Sequence, residues 1–226
     1  MPSTRLASGV IALLALSGCF THRAYVDAKL PSVKYSDLSP LPAPAPIAVE
    51  VTFLSNGSPN EKGQDYVQQR VIKCLEGSGL FAKVDAGAAS SGEGVLKIVM
   101  ENIPSSGAAG KGFLTGLTLG IVGSTVTDQY DFKATYQGGS GAPIEKHYQH
   151  AIYTTIGHAS MPGLTPMSTE EAVNQVVEQL TLNTLQDLQR DGVLVAPPKV
   201  VPPAGSGKGR AARAPRSHSG PEVRER

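Results

Sequence analysis

From Ile47 to Phe53 apolar and polar side chains alternate, with Ile47, Val49, Val51 and Phe53 on one side of the run and Glu50 and Thr52 on the other. A period of two is that of a strand with one buried face. Asn56-Gly57 and Pro59-Asn60 close the run, as turn-forming pairs do. The period then changes. Val67, Val71, Cys74 and Leu75 recur at helical spacing behind Asp65 as N-cap, and Gly77 and Gly79 stop the pattern. Leu80 to Val84 predicts a short strand and Val95 to Asn102 a longer one, with Leu96, Ile98 and Met100 on one face and Lys97 and Glu101 on the other. Val126, Tyr130, Phe132, Ala134 and Tyr136 share a side of a further strand, Gly138-Gly139 turns the chain, and Ile144 to Ile156 returns as its partner. The closing element is a helix: Ser168 and Glu171 form a capping box, Val173, Val176, Val177, Leu180, Thr184 and Leu188 form one stripe, and Asp191-Gly192 ends it. This order predicts an α+β two-layer sandwich, a mainly antiparallel sheet of four to five strands with two helices on one face.

Both ends depart from that pattern. Arg5 followed by the largely apolar run Leu6 to Leu16 reads as an export signal, since the run is too short to cross a bilayer as a helix. Phe20 to Pro46 carries few apolar clusters and closes in Leu41-Pro42-Ala43-Pro44-Ala45-Pro46, whose alternating prolines favour an extended tether. The expected organisation is a signal over residues 1–18, a proline-rich tether over 19–46, the α+β domain over 47–194 and a tail over 195–226.

Composition adds a charge asymmetry. With 226 residues, 40% of them hydrophobic, and 25 Gly and 17 Pro, the chain supports one modest core rather than packing throughout. Its formal net charge of +1 excludes nucleic-acid binding through gross charge. That near-neutrality combines unlike parts. The tail holds seven Lys or Arg (Lys199, Lys208, Arg210, Arg213, Arg216, Arg224, Arg226) against Glu222 and Glu225, so the domain between the ends is acidic. The tail's Pro, Gly and basic composition predicts disorder, and its charge suits contact with lipopolysaccharide phosphates or peptidoglycan carboxylates as well as simple solvation.

The run Leu16-Ser17-Gly18-Cys19 at the end of the apolar stretch resembles the lipobox of bacterial lipoproteins. The resemblance covers the first nineteen residues. It implies cleavage before Cys19, diacylation of its thiol, acylation of the new amino group and anchoring in a membrane, for which two or three chains suffice where one does not. Phe20, not Asp, follows the cysteine, which under the enterobacterial sorting rule implies the outer membrane. Further along, Gly77-Ser78-Gly79-Leu80-Phe81-Ala82-Lys83-Val84 and the order of elements over about 47 to 192 are similar to periplasmic domains of outer-membrane lipoproteins. These are the lipopolysaccharide-assembly lipoprotein of the LptE type and, more loosely, the penicillin-binding-protein activator and the TolB amino-terminal domain. Many functions share that architecture.

The unusual stretch of the domain is Gly110 to Thr127, where Gly112, Gly116, Gly120 and Ser124 are spaced by four among Phe113, Leu114, Leu117, Leu119, Ile121 and Val122. As a helix it would present a small-residue face of the kind that packs closely in membranes. As a loop it would use its glycines to turn over the core. Gly112, Phe113, Leu114, Gly116, Leu117 and Gly120 are therefore the candidate membrane or partner contact.

Residues that could carry catalysis are sparse. Cys74 falls on the buried face of its helix and reads as a core residue. His147 and His150 are three apart on one strand, so they face opposite ways and cannot share a metal, and His158 lies too far along. Asp128 falls among the apolar positions of its strand and Asp131 on the other face, so Asp128 needs a partner or a place at the sheet edge. No Gly-x-Ser-x-Gly, His-Glu-x-x-His or phosphate-loop pattern occurs. The expectation is a lipid-anchored outer-membrane lipoprotein without catalytic activity, metal or cofactor, binding or scaffolding another envelope component from the periplasmic face. A membrane-associating oligomer built by segment 112–124 is the alternative.

Overall fold

The structure is a computed structural model that describes residues 22–90, 93–104, 124–138 and 141–194. Seven strands form one sheet: β1 (His22–Val26), β2 (Pro46–Ser55), β3 (Ser58–Pro59), β4 (Lys83–Ala86), β5 (Gly94–Pro104), β6 (Ser124–Gln137) and β7 (Ile144–Ile156). Among the described residues two α-helices accompany it, α1 (Glu61–Ser78) and α2 (Thr169–Arg190). The strand order is β1-β7-β6-β5-β2, and the far edge of β2 is shared by β4 at its start and β3 at its end. Pairing is antiparallel except where β2 meets β4 and β5. The β2–α1–β4 stretch is a crossover, which is how a chain places parallel strands side by side. Between its two short partners, β2 has an open edge at Val51 and Phe53. Gln64 of α1 closes it, accepting from the Phe53 amide at 2.8 Å and donating to the Val51 carbonyl.

Register puts one residue from each strand into rows. Val49 lies beside Leu96, Val51 beside Ile98 and Phe53 beside Met100; Ile98 then meets Ala134, and Met100 meets Phe132 and through it Tyr148. These residues belong to one core together with Val67, Val71 and Leu75 of α1 and Val176, Val177, Leu180 and Leu188 of α2. The two helices pack against each other over that face. The α+β class, the two α-helices among the described residues and the dominance of antiparallel pairing agree with expectation.

The caps follow the local chemistry. Ser168 Oγ accepts from the Glu171 amide at 3.2 Å, and the Glu171 carboxylate accepts from the Ser168 amide at 2.8 Å, the reciprocal box read from the sequence. Gly79 ends α1 at φ 66°, a left-handed position that glycine adopts without strain. At the other end of α1 the cap is Asn60, whose Oδ1 accepts from the Gly63 amide at 3.0 Å, so the helix begins earlier than Asp65.

Two expectations change. The sheet has seven strands rather than four to five, because β1 and the two-residue β3 also pair. The predicted tether is folded from His22 on: β1 pairs with β7 in the register His22 with Ile156 through Val26 with Ile152. Val33 and Leu38 then enter the core, Asn183 Nδ2 donates to the Pro31 carbonyl at 2.9 Å, and Gln189 exchanges hydrogen bonds with the backbone of Ser39. Residues 28–41 thus strap α2 against the sheet. In α2, Ala172, Thr181, Leu182, Asn183 and Leu185 are buried in addition to Val176, Val177, Leu180, Thr184 and Leu188 of the predicted stripe, while Val173 is only partly buried.

Candidate functional site

With the helices on one face, the opposite face of the sheet carries the odd-numbered residues of β5, β6 and β7. Lys97 reaches Glu50 at 3.1 Å and Lys133 reaches Glu145 at 3.4 Å across neighbouring strands. Beyond them a groove of about 190 Å³ is lined by Asp27, Lys29, Ile103, Gln129, Asp131, Gln149, Ala151 and Tyr153. Its floor follows from register: Gln129 pairs with Ala151, and Ala151 contributes only a methyl between Gln149 and Tyr153 on the same side of β7. Asp131 anchors one wall, with His147 Nε2 at 2.8 and 2.9 Å from its two oxygens and Gln149 Nε2 donating at 3.4 Å. Asp27 anchors the other, accepting from the Tyr153 hydroxyl at 3.3 Å and lying 3.7 Å from Lys29 Nζ. Exposed Ile103 and, further along β5, Val99 add apolar surface. The groove therefore offers two carboxylates, the Lys29 ammonium, two amide side chains, the hydroxyls of Thr127 and Tyr153 and an apolar rim, a set suited to hydrogen bonding with a partner.

Polar groups on the helix side are enclosed instead. His150 is 4% exposed, and its Nε2–H donates to Gln179 Oε1 of α2 at 3.0 Å. Its Nδ1 has no partner among the described residues. Burial holds the imidazole below its ordinary pKa, against smaller opposing effects of Gln179 and Asp27. Asp128 is half-buried on this same side, paired in register with Ile152 and Pro104, and Asn102 hydrogen-bonds it; burial nevertheless raises its carboxyl. Of the two alternatives the sequence left for Asp128, the partner is the one found, Asn102; β6 lies between β5 and β7 and is not at the sheet edge. A larger cleft of about 530 Å³ opens beside α2, between residues 26–32, the 163–167 loop, Gln175 and Gln179.

Among the described residues burial disfavours the ionised forms of one thiol and several hydroxyls. Burial pushes the Cys74 thiol up to about 11 and the Tyr130 hydroxyl up to about 12, and Cys74 lies in the core as read from its helical position. Tyr148 is raised as well, by burial and by its 2.8 Å hydrogen bond to Asp187. His147 stands on the open face, His150 under α2 and His158 exposed in the turn after β7, so the three imidazoles do not converge. Among the described residues no group of three or more His, Cys, Asp or Glu could hold a metal. No helix among them is long and apolar enough to cross a membrane.

Cys19, the set Gly112, Phe113, Leu114, Gly116, Leu117 and Gly120, and the tail 195–226 lie outside the described residues. The groove was not identified from the sequence. The alternation of Asp131, His147 and Gln149 marks an outward face, but nothing local tells which outward residues become neighbours.

No family model and no curated protein matches the chain. Solved structures similar to it include rare lipoprotein B from Shewanella oneidensis, with 14% identity over 64% of this chain and 96% of that one and a TM-score of 0.35. A minor lipoprotein from Acinetobacter baumannii is 9% identical over 66% of this chain and 91% of that one, with a TM-score of 0.27. A homolog of neuraminyllactose-binding hemagglutinin from Helicobacter pylori is 10% identical over 73% and 96%, with a TM-score of 0.38.

Proposed function

We propose that the chain is a lipid-anchored cell-envelope lipoprotein of the outer membrane, non-enzymatic, whose domain binds or scaffolds another envelope component through the open face of its sheet. The observation that carries this reading is the division of the sheet. Two helices and a strap occupy one side, while the groove between Asp27 and Asp131 leaves hydrogen-bonding groups turned outward on the other. The anchor rests on Arg5, the run to Leu16 and Cys19. The non-enzymatic reading is supported by the burial of Cys74 and His150, which pushes the thiol up to about 11 and holds the imidazole below its ordinary value. The basic tail would add contact with lipopolysaccharide or peptidoglycan.

The test is a photo-crosslinking amino acid placed at Gln149 in cells, compared with one at Arg190 at the far end of α2. A discrete adduct with one envelope protein from Gln149, weakened by Asp131→Lys, is the expected result. Adducts from Arg190 alone would refute the groove as the contact. The acyl mass of the Cys19 peptide tests the anchor separately.

A second reading has one observation in its favour. Ser124, where β6 begins after the glycine-spaced segment, lies beside Ile156, which lies beside His22, three residues beyond Cys19. β6, which follows that segment in sequence, thus begins at the end of the sheet where β1 begins, which supports a membrane-associating role for Gly112, Phe113, Leu114, Gly116, Leu117 and Gly120.

A further inference from the structure

Only Phe20 and Thr21 separate Cys19 from the first residue of β1. Three steps of chain span at most about 11 Å in any conformation. Had the chain up to Pro46 been a free tether, its ends would average about 30 Å apart, enough to let the domain stand off and turn. The attachment point is instead built into the fold. His22 pairs with Ile156, and Ala24 is hydrogen-bonded in both directions to Met167, each at 2.9 Å, which also occupies the outer edge of β1.

We infer that the end of the domain formed by the start of β1, the end of β7 and the 157–166 connection rests on the lipid headgroup surface that holds the anchor, an inference that depends on acylation of Cys19 as proposed above. The residues at that end agree. From Ala151 to Ser168 there is no Asp, Glu, Lys or Arg, and the connection carries Met161, Pro162 and Leu164. An uncharged loop approaches a headgroup layer without stripping water from an ion. Among the described residues the charged groups near this end are Arg23, Glu101 beside the Gly57 turn, Glu61, Lys62, Glu170 and Glu171 in the first turns of the helices, and Asp27 and Lys29, which share a cleft with Gly163, Leu164 and Thr165. The opposite end, where β4, β5 and β7 begin and α2 finishes, presents Lys83, Asp85, Glu93, Glu145, Lys146, Arg190 and Asp191. It lies about 33 Å away along α2, since each of that helix's residues adds about 1.5 Å. With the β1 edge already bonded to Met167, the end rather than the edge faces the lipid.

The test is hydrogen exchange by mass spectrometry on the acylated full chain in phosphatidylethanolamine–phosphatidylglycerol vesicles, against the Cys19→Ala chain mixed with the same vesicles. Amides of 157–165 should exchange roughly threefold or more slowly in the acylated chain, with 79–88 and 138–144 unchanged. Slowing at 79–88 or 138–144, or none in a chain whose Cys19 peptide carries acyl mass, overturns the inference while leaving the anchor intact. A Cys19 peptide without acyl mass overturns both. A Gly/Ser insertion of about 20 residues between Thr21 and His22 should abolish the slowing with acylation preserved, because a coil of that length averages about 25 Å. Slowing that survives the insertion would show that the short connection does not set the contact.

Discussion

The two faces of the sheet are made by the same strands and have opposite roles. On β5, Leu96, Ile98 and Met100 are within 1% of full burial, whereas Val99 on the other side is 39% exposed between Lys97 and Glu101. On β7, Tyr148 and Ile152 pack into the core while His147 and Gln149 stand open beside Asp131. The difference teaches that parity along a strand decides whether a change is felt as stability or as surface chemistry. Asp128 and His150 are among the exceptions, polar groups on the core side. Each has a hydrogen-bond partner, Asn102 and Gln179 respectively, yet burial still penalises the charged form of both.

The sharpest test of the contrast is Leu180→Ala, which removes a fully buried side chain under the sheet. Denaturant unfolding should register a loss of about 2–5 kcal/mol. A loss below about half a kcal/mol would turn this face of α2 outward. Leu38→Ala probes the strap. It should cost about 2 kcal/mol, at the low end of the buried Leu→Ala range, because Leu38 is 7% exposed at the margin of the core. A tether would lose nothing.

Smaller still is the pH dependence of His150. Its folded pKa lies below the unfolded value, so the unfolded chain binds the extra proton first. Stability is full above the unfolded value near 6.5 and falls as pH drops toward the folded value. Asp128 works in the other direction at lower pH, since a raised carboxyl favours folding when protonated and loses that contribution as pH rises through its folded value. Melting followed from about pH 7.5 to about pH 5.5 should decline in the parent chain, and His150→Gln should flatten the decline. An unchanged slope would mean that His150 is not the group responsible. The smallest effect belongs to the open face: Lys97→Ala breaks an exposed pair with Glu50 and should change stability by no more than about half a kcal/mol. A larger loss would mean that the open face contributes to folding after all.

Most of the core was legible because its signals are local. The alternation in β2, β5 and β6, the bounds of β7, the capping box at Ser168 and the glycine stop at Gly79 depend only on residues a few positions apart. The strap was not legible, since Val33 and Leu38 are single apolar residues without a period, in a segment whose prolines suggested extension. Nor was β3, because two residues cannot show alternation.

The sequence by itself thus determined which side of β2, β5 and β6 is buried, the bounds of α2, the stop of α1 at Gly79, and the apolar run that leads to Cys19. Each is a matter of side-chain period or of a cap satisfying nearby backbone groups. The tertiary structure alone decided that β1 would join β7 across more than a hundred residues, that β2 would lie parallel to β5, and that Ala151 would open a groove between Asp27 and Asp131. Those outcomes depend on which distant surfaces meet, and the free energy of such a meeting is shared among many weak contacts that no single segment encodes.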